Sequence, residues 1–453
     1  MSVETLPPQL SPALKLPPKA KGRWGLGNFL QYLRDPLGFG QSCAREYGDV
    51  VKLWLLPWRP SVALFHPQDI EAVLRHQAQK FRKDDGTRAI SFVLGNGLVT
   101  NEGDSWRQQR RKIQPGFQRS EVERYADIIV GFTRRAVEKW QPGEIRDVHT
   151  DMMHLTLEIV GKALFDADVA DQVQEVYDSL EEIMSFLTNI VNWIPARKYF
   201  PTPGYLRFQK AVKRIDEVML RIIRRRKNQP PGGVDLLSQL LFPSDPQDAM
   251  TDQQLRDELL TLFLAGHETT ALALSFCFRL IALHPKVENQ VRDEIQGVLG
   301  DRDATAADYQ RLTYTEMVLK ESMRLYPPVW SIGREALEDV EIGGYRFPKG
   351  TTFEMWQWVV HRDARWYPEP DVFRPERWTK DEIESRPRCS YFPFGDGPRI
   401  CIGLTFAMME AVLVIATILQ RVSLSVVGKA ELAFAPSVTL RPAKGVPLKV
   451  EQR

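Results

Sequence analysis

Phe394-Gly395-Asp396-Gly397-Pro398-Arg399-Ile400-Cys401-Ile402-Gly403 is the stretch on which the reading of this 453-residue chain turns. Gly395, Gly397 and Pro398 exclude a regular helix or strand up to Arg399. From Leu404 to Leu419 the residues are mostly apolar and contain no helix breaker, which predicts a helix. Cys401 therefore stands where an irregular loop becomes a helix. A helix N-terminus favours the thiolate, the form that binds metal, so the thiol is expected below its ordinary value of about 8.5. Backbone N–H groups left free by the glycines can point at the sulfur and tune it as a donor. Arg399 supplies a cation on which an anionic ligand group could rest. A buried, inert cysteine is the plainer alternative. Loop chemistry this specific weighs against it.

The pattern Phe394-x-x-Gly397-x-Arg399-x-Cys401-x-Gly403 resembles, at each defined position, the haem-binding loop of the cytochrome P450 monooxygenases. The resemblance implies Cys401 as the axial iron ligand of a haem b (iron protoporphyrin IX), with Phe394, Arg399 and Gly403 around it. It also implies a fold that is mainly α with small β-sheets (α+β), the haem lying between a long central helix and the helix after Cys401. Because the resemblance covers nearly the whole chain, a length that could hold several domains reduces to one. That domain is expected over residues 23–453, after a poorly ordered segment 1–22 rich in Pro and Lys.

Composition sets the remaining bounds. A net charge of +2 gives no electrostatic case for nucleic acid. The cysteines (Cys43, Cys277, Cys389, Cys401) are scattered without a CxxC, which suggests neither a disulfide framework nor a zinc site and fits a reducing compartment. The first residues lack the apolar core of a signal peptide or a membrane anchor. The expectation is a soluble, cytoplasmic, bacterial-type monomer.

From Met250 to His284 no proline interrupts the chain, and Thr251 with Gln254 forms a capping box. The run is apolar almost all round, so it is either transmembrane or the buried spine of a domain. Gly266, His267, Glu268, Thr269 and Thr270 at its centre argue against lipid. A Thr hydroxyl competing for carbonyls is expected to loosen the helix there. Ala265–Thr270 resembles the family's oxygen-activation motif, with Glu268 and Thr269 as its catalytic acid–alcohol pair. The alternative is a set of polar groups satisfied within the core.

Trp106 and Arg110 share a helix face at i and i+4, and Asp104 or Ser105 is expected to cap that helix. By resemblance they hold a haem propionate, as does Arg334. The family often has His where this chain has Gln109, which removes one such contact. Glu321 and Arg324, at i and i+3, with Arg377 match the family's structural Glu–Arg–Arg set. Isolated pairs of this kind are usually weak surface bridges.

Val50–Leu56 and Ser61–Phe65 read as a β-hairpin pair, and Val340–Phe347 and the region after Leu432 as further small β elements. Asp84–Asn101 reads as a loop with an apolar lining. The apolar, aromatic stretch Phe186–Phe200 is a candidate lid or membrane contact, with core packing as the competitor. The expected substrate pocket comprises Phe92, Val93, Leu94, Phe186, Leu187, Leu262, Phe263, Val329, Trp330, Ile332 and Val438, which suggests a fatty acid, terpenoid or similar lipid. No Cys cluster or Gly-rich dinucleotide fingerprint is present. Electrons are therefore expected from a separate ferredoxin or flavodoxin with its reductase, docking on Arg107, Arg111, Lys112, Arg386 and Arg388. A haem-thiolate peroxygenase or isomerase and a haem sensor are the other classes. Neither has an evident use for Glu268 and Thr269.

Overall fold

The axis of the fold is the helix Asp252–Leu283, seen in a computed structural model that describes residues 16–22, 27–56, 59–166, 173–188, 202–230, 232, 235–428 and 431–451. Its start is fixed by the expected capping box: Thr251 Oγ1 accepts from Gln254 N at 3.2 Å and Gln254 Oε1 from Thr251 N at 2.9 Å. Its composition and length would allow it to cross a membrane, but 78% of its most apolar window is buried inside the fold. It is a core spine.

The helices Val148–Phe165, Pro203–Lys227, Thr313–Leu325 and Leu404–Leu419 pack against it. The first approaches closely because Gly266 has no side chain: a Cβ there would stand 3.0 Å from Val160 Cγ2. Thr156 Oγ1 donates to His267 O across this contact at 2.9 Å. The spine stays helical throughout. Thr269 Oγ1 shares the Ala265 carbonyl at 2.7 Å without breaking the helix, so the expected loosening does not occur.

The strands are β1 (Val50–Leu56), β2 (Arg59–Leu64), β3 (Phe81–Lys83), β4 (Ile145–Asp147), β5 (Ile332–Ala336), β6 (Val340–Ile342), β7 (Tyr345–Phe347), β8 (Thr352–Met355), β9 (Ser423–Val426), β10 (Phe434–Pro436), β11 (Leu440–Pro442) and β12 (Pro447–Glu451). The largest sheet has the order β1-β2-β8-β5-β3, with β2 and β8 parallel and the other neighbours antiparallel. β4-β12-β9 form a second sheet, and β6-β7 and β10-β11 are hairpins. One mainly helical domain with small peripheral sheets results, as expected.

Several local expectations need correction. Asp84–Asn101 is not simply a loop, since Asp85–Ala89 and Ser91–Leu94 are short helices. The helix Gly103–Ile113 has Glu102 at its N-cap with no side-chain cap, so neither Asp104 nor Ser105 performs that role. Pro18 to Ala20, within the segment expected to be poorly ordered, pair with Lys52 through Lys52 N to Pro18 O (2.8 Å) and Ala20 N to Lys52 O (3.1 Å). Of the candidate lid Phe186–Phe200, residues 189–200 lie outside the described residues.

Candidate active site

The loop ahead of the helix Leu404–Leu419 holds its shape through glycine and one backbone bond. Gly397 has φ +69°, and a Cβ there would strike Leu74 O at 1.9 Å, so only glycine fits. Cys401 N donates to Phe394 O at 2.9 Å, closing the loop so that the cysteine and Phe394 line one cavity. Cys401 is exposed, though to that cavity. Burial raises its thiol, while the Gly403 N–H, Arg110 and Lys83 pull the other way; the thiol ends above its ordinary value. The expected lowering is therefore not found, because burial outweighs the helix terminus.

The cavity measures about 1290 Å3 and is mostly apolar. A pocket for one small molecule spans about 300–1,000 Å3, so this volume suits a cofactor and a substrate together. Leu94, Leu187, Leu262, Val329, Trp330, Ile332 and Val438 line it as expected. Phe92, Val93, Phe186 and Phe263 do not. Phe92 is 51% exposed and packs edge-on to Phe208 at 5.4 Å. Phe186 stacks on Phe208 at 4.2 Å, and Phe263 stacks on Phe165 at 4.8 Å. Val93 is buried in the main core.

Cations gather on the cavity wall. Arg110 and Arg399 both lie over the Trp106 ring, at 5.7 and 3.8 Å, and Arg334 lines the same space. Lys83, unforeseen in the sequence, joins them: β3 pairs it with Arg334. Burial lowers all four, most clearly Lys83, which with Arg334 and Arg399 nearby falls to about 7. Asp84 and Glu102 oppose this only in part, and Arg399 bonds Glu102 directly. Such crowding is unfavourable unless an anion completes it. A dianionic cofactor with an apolar body fits both features. Gln109, where the family often has His, is turned away to Asn101 and Asn96.

Glu268 and Thr269 reach the cavity from the spine. Glu268 is fully buried, and its Oε1 accepts from Thr439 Oγ1 at 2.6 Å and from Arg441 Nε at 2.8 Å. Burial raises this carboxyl, but the charge and hydrogen bond of Arg441 and the Thr439 hydroxyl more than offset it, leaving it below its ordinary value. Arg441 also reaches Glu181 Oε2 at 3.0 Å. The sequence pointed to neither Thr439, in the turn between β10 and β11, nor Arg441, on β11.

Behind the site, the predicted Glu321, Arg324 and Arg377 come together with 0–1% side-chain exposure. Glu321 accepts from Arg324 Nε (2.9 Å) and Nη2 (2.8 Å), Arg377 Nε (3.3 Å), Trp378 Nε1 (3.0 Å) and Arg374 N (3.0 Å). This is no surface bridge. It ties the helix Thr313–Leu325 to the segment 374–378, upstream of the Cys401 loop.

The expected docking cations are mostly engaged: Arg107 with Asp104, Lys112 with Asp248 (3.5 Å) and Arg388 with Asp396 (2.6 Å). Arg386 lies over Tyr367 and Trp378, each at 4.8 Å. Arg111 is exposed and makes no ion pair with a described residue.

Comparison with known proteins agrees with this geometry. The cytochrome P450 family model matches residues 17–450. A Mycobacterium tuberculosis (strain CDC 1551 / Oshkosh) protein described as a cytochrome P450 is 34% identical over 86% of this chain and 87% of its own length. The cyclooctat-9-en-7-ol 5-monooxygenase of Streptomyces melanosporofaciens is 33% identical over 87% of this chain and 86% of its own. Cyclooctatin synthase of the same organism is 33% identical over 93% of both. The chain belongs to the cytochrome P450 family, whose members bind haem and act as monooxygenases.

Proposed function

We propose that this protein inserts one oxygen atom from O2 into a terpenoid or similar apolar molecule, using haem b ligated by Cys401 and electrons from a separate ferredoxin or flavodoxin. The observation that carries this reading is that Cys401 and the Glu268–Thr269 pair open onto one large apolar cavity with four cations on its wall. The relatives' names point the same way for substrate: one acts on a cyclic alkenol and another is a cyclooctatin synthase.

Arg110, Arg334, Arg399 and Lys83 would take the propionates, with Trp106 and Phe394 packing nearby and Gly403 leaving space beside the sulfur. When bound, haem supplies oxygen activation, and a thiolate ligand favours O–O cleavage. The protein's own part is proton supply. Thr269 Oγ1 gives its hydrogen to Ala265 O, so its lone pairs remain to accept a bond from water in the cavity. Both bonds to Glu268 use Oε1, which leaves Oε2 to hold and pass a proton.

The Glu268–Thr269 pair also weighs against a peroxygenase, an isomerase or a haem sensor. Turnover with O2 and reductant, compared with peroxide alone, separates these classes. The direct test of ligation is the reduced protein under carbon monoxide. A red-shifted Soret band is expected, lost in Cys401→His and kept in Cys389→Ser. The Cys389 thiol lies against Asp396 at 3.5 Å, is pushed up by burial, and does not line the cavity. An unchanged band in Cys401→His would reject this reading.

A further inference from the structure

One wall of the cavity departs from its apolar character. Strands β2 and β8 run parallel with Ser61 beside Thr352 and Ala63 beside Glu354. Alternation puts Thr352 and Glu354 on the same sheet face. Across β5 the residue opposite Glu354 is Gly333. Its missing side chain leaves room for Asp84, whose Cγ would stand 2.5 Å from a Cβ at that position. Tyr32 comes in from the helix Phe29–Arg34. All five side chains, Tyr32, Ser61, Asp84, Thr352 and Glu354, belong to residues lining the cavity.

Their hydrogen bonding is incomplete. Asp84 is occupied, its oxygens accepting from Thr87 N and Thr87 Oγ1. Ser61 is only 6% exposed, yet its hydroxyl has no partner. Neither the Glu354 carboxyl nor the Tyr32 hydroxyl bonds a described residue. A buried unmatched hydroxyl such as that of Ser61 is rare in native proteins and calls for a partner from outside the chain, and the half-buried Glu354 and Tyr32 face the same cavity. Burial, with Asp84 next, raises Glu354 well above the usual carboxyl value. Burial, then Glu354 and Asp84, likewise raises Tyr32. The shifts favour the protonated forms, which can donate as well as accept. The nearby cations Lys83 and Arg334 occupy the next register positions, paired with each other and with Phe353, and bond no member of the patch.

We infer that this patch is a subsite for a hydroxyl group, so that the substrate is an apolar molecule already carrying an alcohol rather than a bare hydrocarbon. The inference rests on the proposed oxidation of an apolar molecule in the same cavity. A carboxylate ligand would meet Asp84. A cation would meet Lys83 and Arg334 beside the patch. An alcohol, which both donates and accepts, matches the groups present.

The test titrates the holoprotein with a diterpene alcohol, the hydrocarbon lacking its oxygen, and the matching trimethylammonium cation. Binding is read as the absorbance shift on displacement of the sixth haem ligand. The alcohol should bind roughly tenfold tighter than the hydrocarbon, the gain expected from one or two added hydrogen bonds. Glu354→Leu and Ser61→Ala should remove that preference and leave hydrocarbon affinity unchanged, whereas Glu354→Gln should keep most of it. Haem content checks that each variant folds, and Ser61→Ala carries the test alone if Glu354→Leu does not. Equal affinity for alcohol and hydrocarbon, or tightest binding of the cation, overturns the subsite while leaving the proposed function intact. No shift with any of the three, in protein with a normal carbon monoxide spectrum, counts against the apolar-substrate reading and this one together.

Discussion

Arg441 Nε donates to Glu268 Oε1 at 2.8 Å, which secures a carboxylate buried in the middle of the apolar spine. Burial pushes that carboxyl up, and Arg441, helped by Thr439 and His267, holds it below its ordinary value. A group depressed on folding adds stability above its unfolded value, and that stability is lost as pH falls through its folded value. In Arg441→Met only the Thr439 hydroxyl and His267 still oppose burial, so Glu268 should move above its ordinary value and the sign should reverse. The variant is expected to lose about 3–5 kcal/mol at neutral pH, as for breaking a buried pair. The deficit should shrink as pH falls toward the ordinary carboxyl value of 4.5. Urea unfolding of the holoprotein at several pH values measures this. A deficit independent of pH would mean that Arg441 serves packing instead.

Thr269 Oγ1 is bonded back to its own helix and still borders the cavity, so its loss should spare folding and substrate binding. Proton-transfer groups contribute about 10²–10⁴-fold to rate. Thr269→Ala should therefore cut product formation at least about tenfold. Reductant should still be consumed, with peroxide appearing in place of product. Unaltered product per reductant would remove Thr269 from the proton path.

The parts of this site that were legible in the sequence are those written locally. The Cys401 loop, the capped spine and the Glu321–Arg324 spacing each lie within one short window, where turn chemistry and helical periodicity act directly. Lys83, Thr439 and Arg441 were not legible, because an isolated Lys or Arg on a short strand, or a Thr in the turn between two strands, carries no local pattern. Strand pairing brings Lys83 to Arg334, and the β10-β11 hairpin delivers Arg441 to Glu268. The pocket residues show the same limit. Phe92 and Leu94 share a four-residue helix, too short for periodicity to say which faces inward; the structure turns Leu94 in and leaves Phe92 out. The thiol of Cys401 was misjudged for another reason: burial depends on the whole fold, while the helix terminus is visible in the sequence.

Glu321 accepts from five donors with almost no exposure, which makes its charge the joint between two segments. Glu321→Ala strands the guanidiniums of Arg324 and Arg377 in the interior. Removing one partner of a buried ion pair costs about 3–5 kcal/mol, a large share of a typical 5–15 kcal/mol stability. The expected outcome is insoluble or haem-free protein. Glu321→Gln, which keeps the shape but not the charge, should lie between it and wild type. A stable holoprotein with low turnover from Glu321→Ala would instead assign the residue to chemistry.

Electron delivery should depend on Arg111 more than on its basic neighbours. Arg107, Lys112 and Arg388 each have an acidic partner within the chain, whereas Arg111 is exposed without an ion pair among the described residues. It lies on the helix Gly103–Ile113, which also carries Trp106 and Arg110 to the cavity wall, so a donor seated on Arg111 would stand near the residues that would hold the haem propionates. Complementary surface charge chiefly raises the association rate, and salt screens it over a Debye length of about 8 Å at physiological ionic strength. Arg111→Glu should therefore slow reduction by an acidic ferredoxin at low salt, and the difference from wild type should fade as salt is added. Arg107→Glu should do less, because Asp104 already offsets that charge. Substrate affinity should be unchanged in both, since neither residue lines the cavity. Stopped-flow reduction at several salt concentrations measures this. Equal rates for Arg111→Glu and wild type at low salt would move the docking face away from this helix.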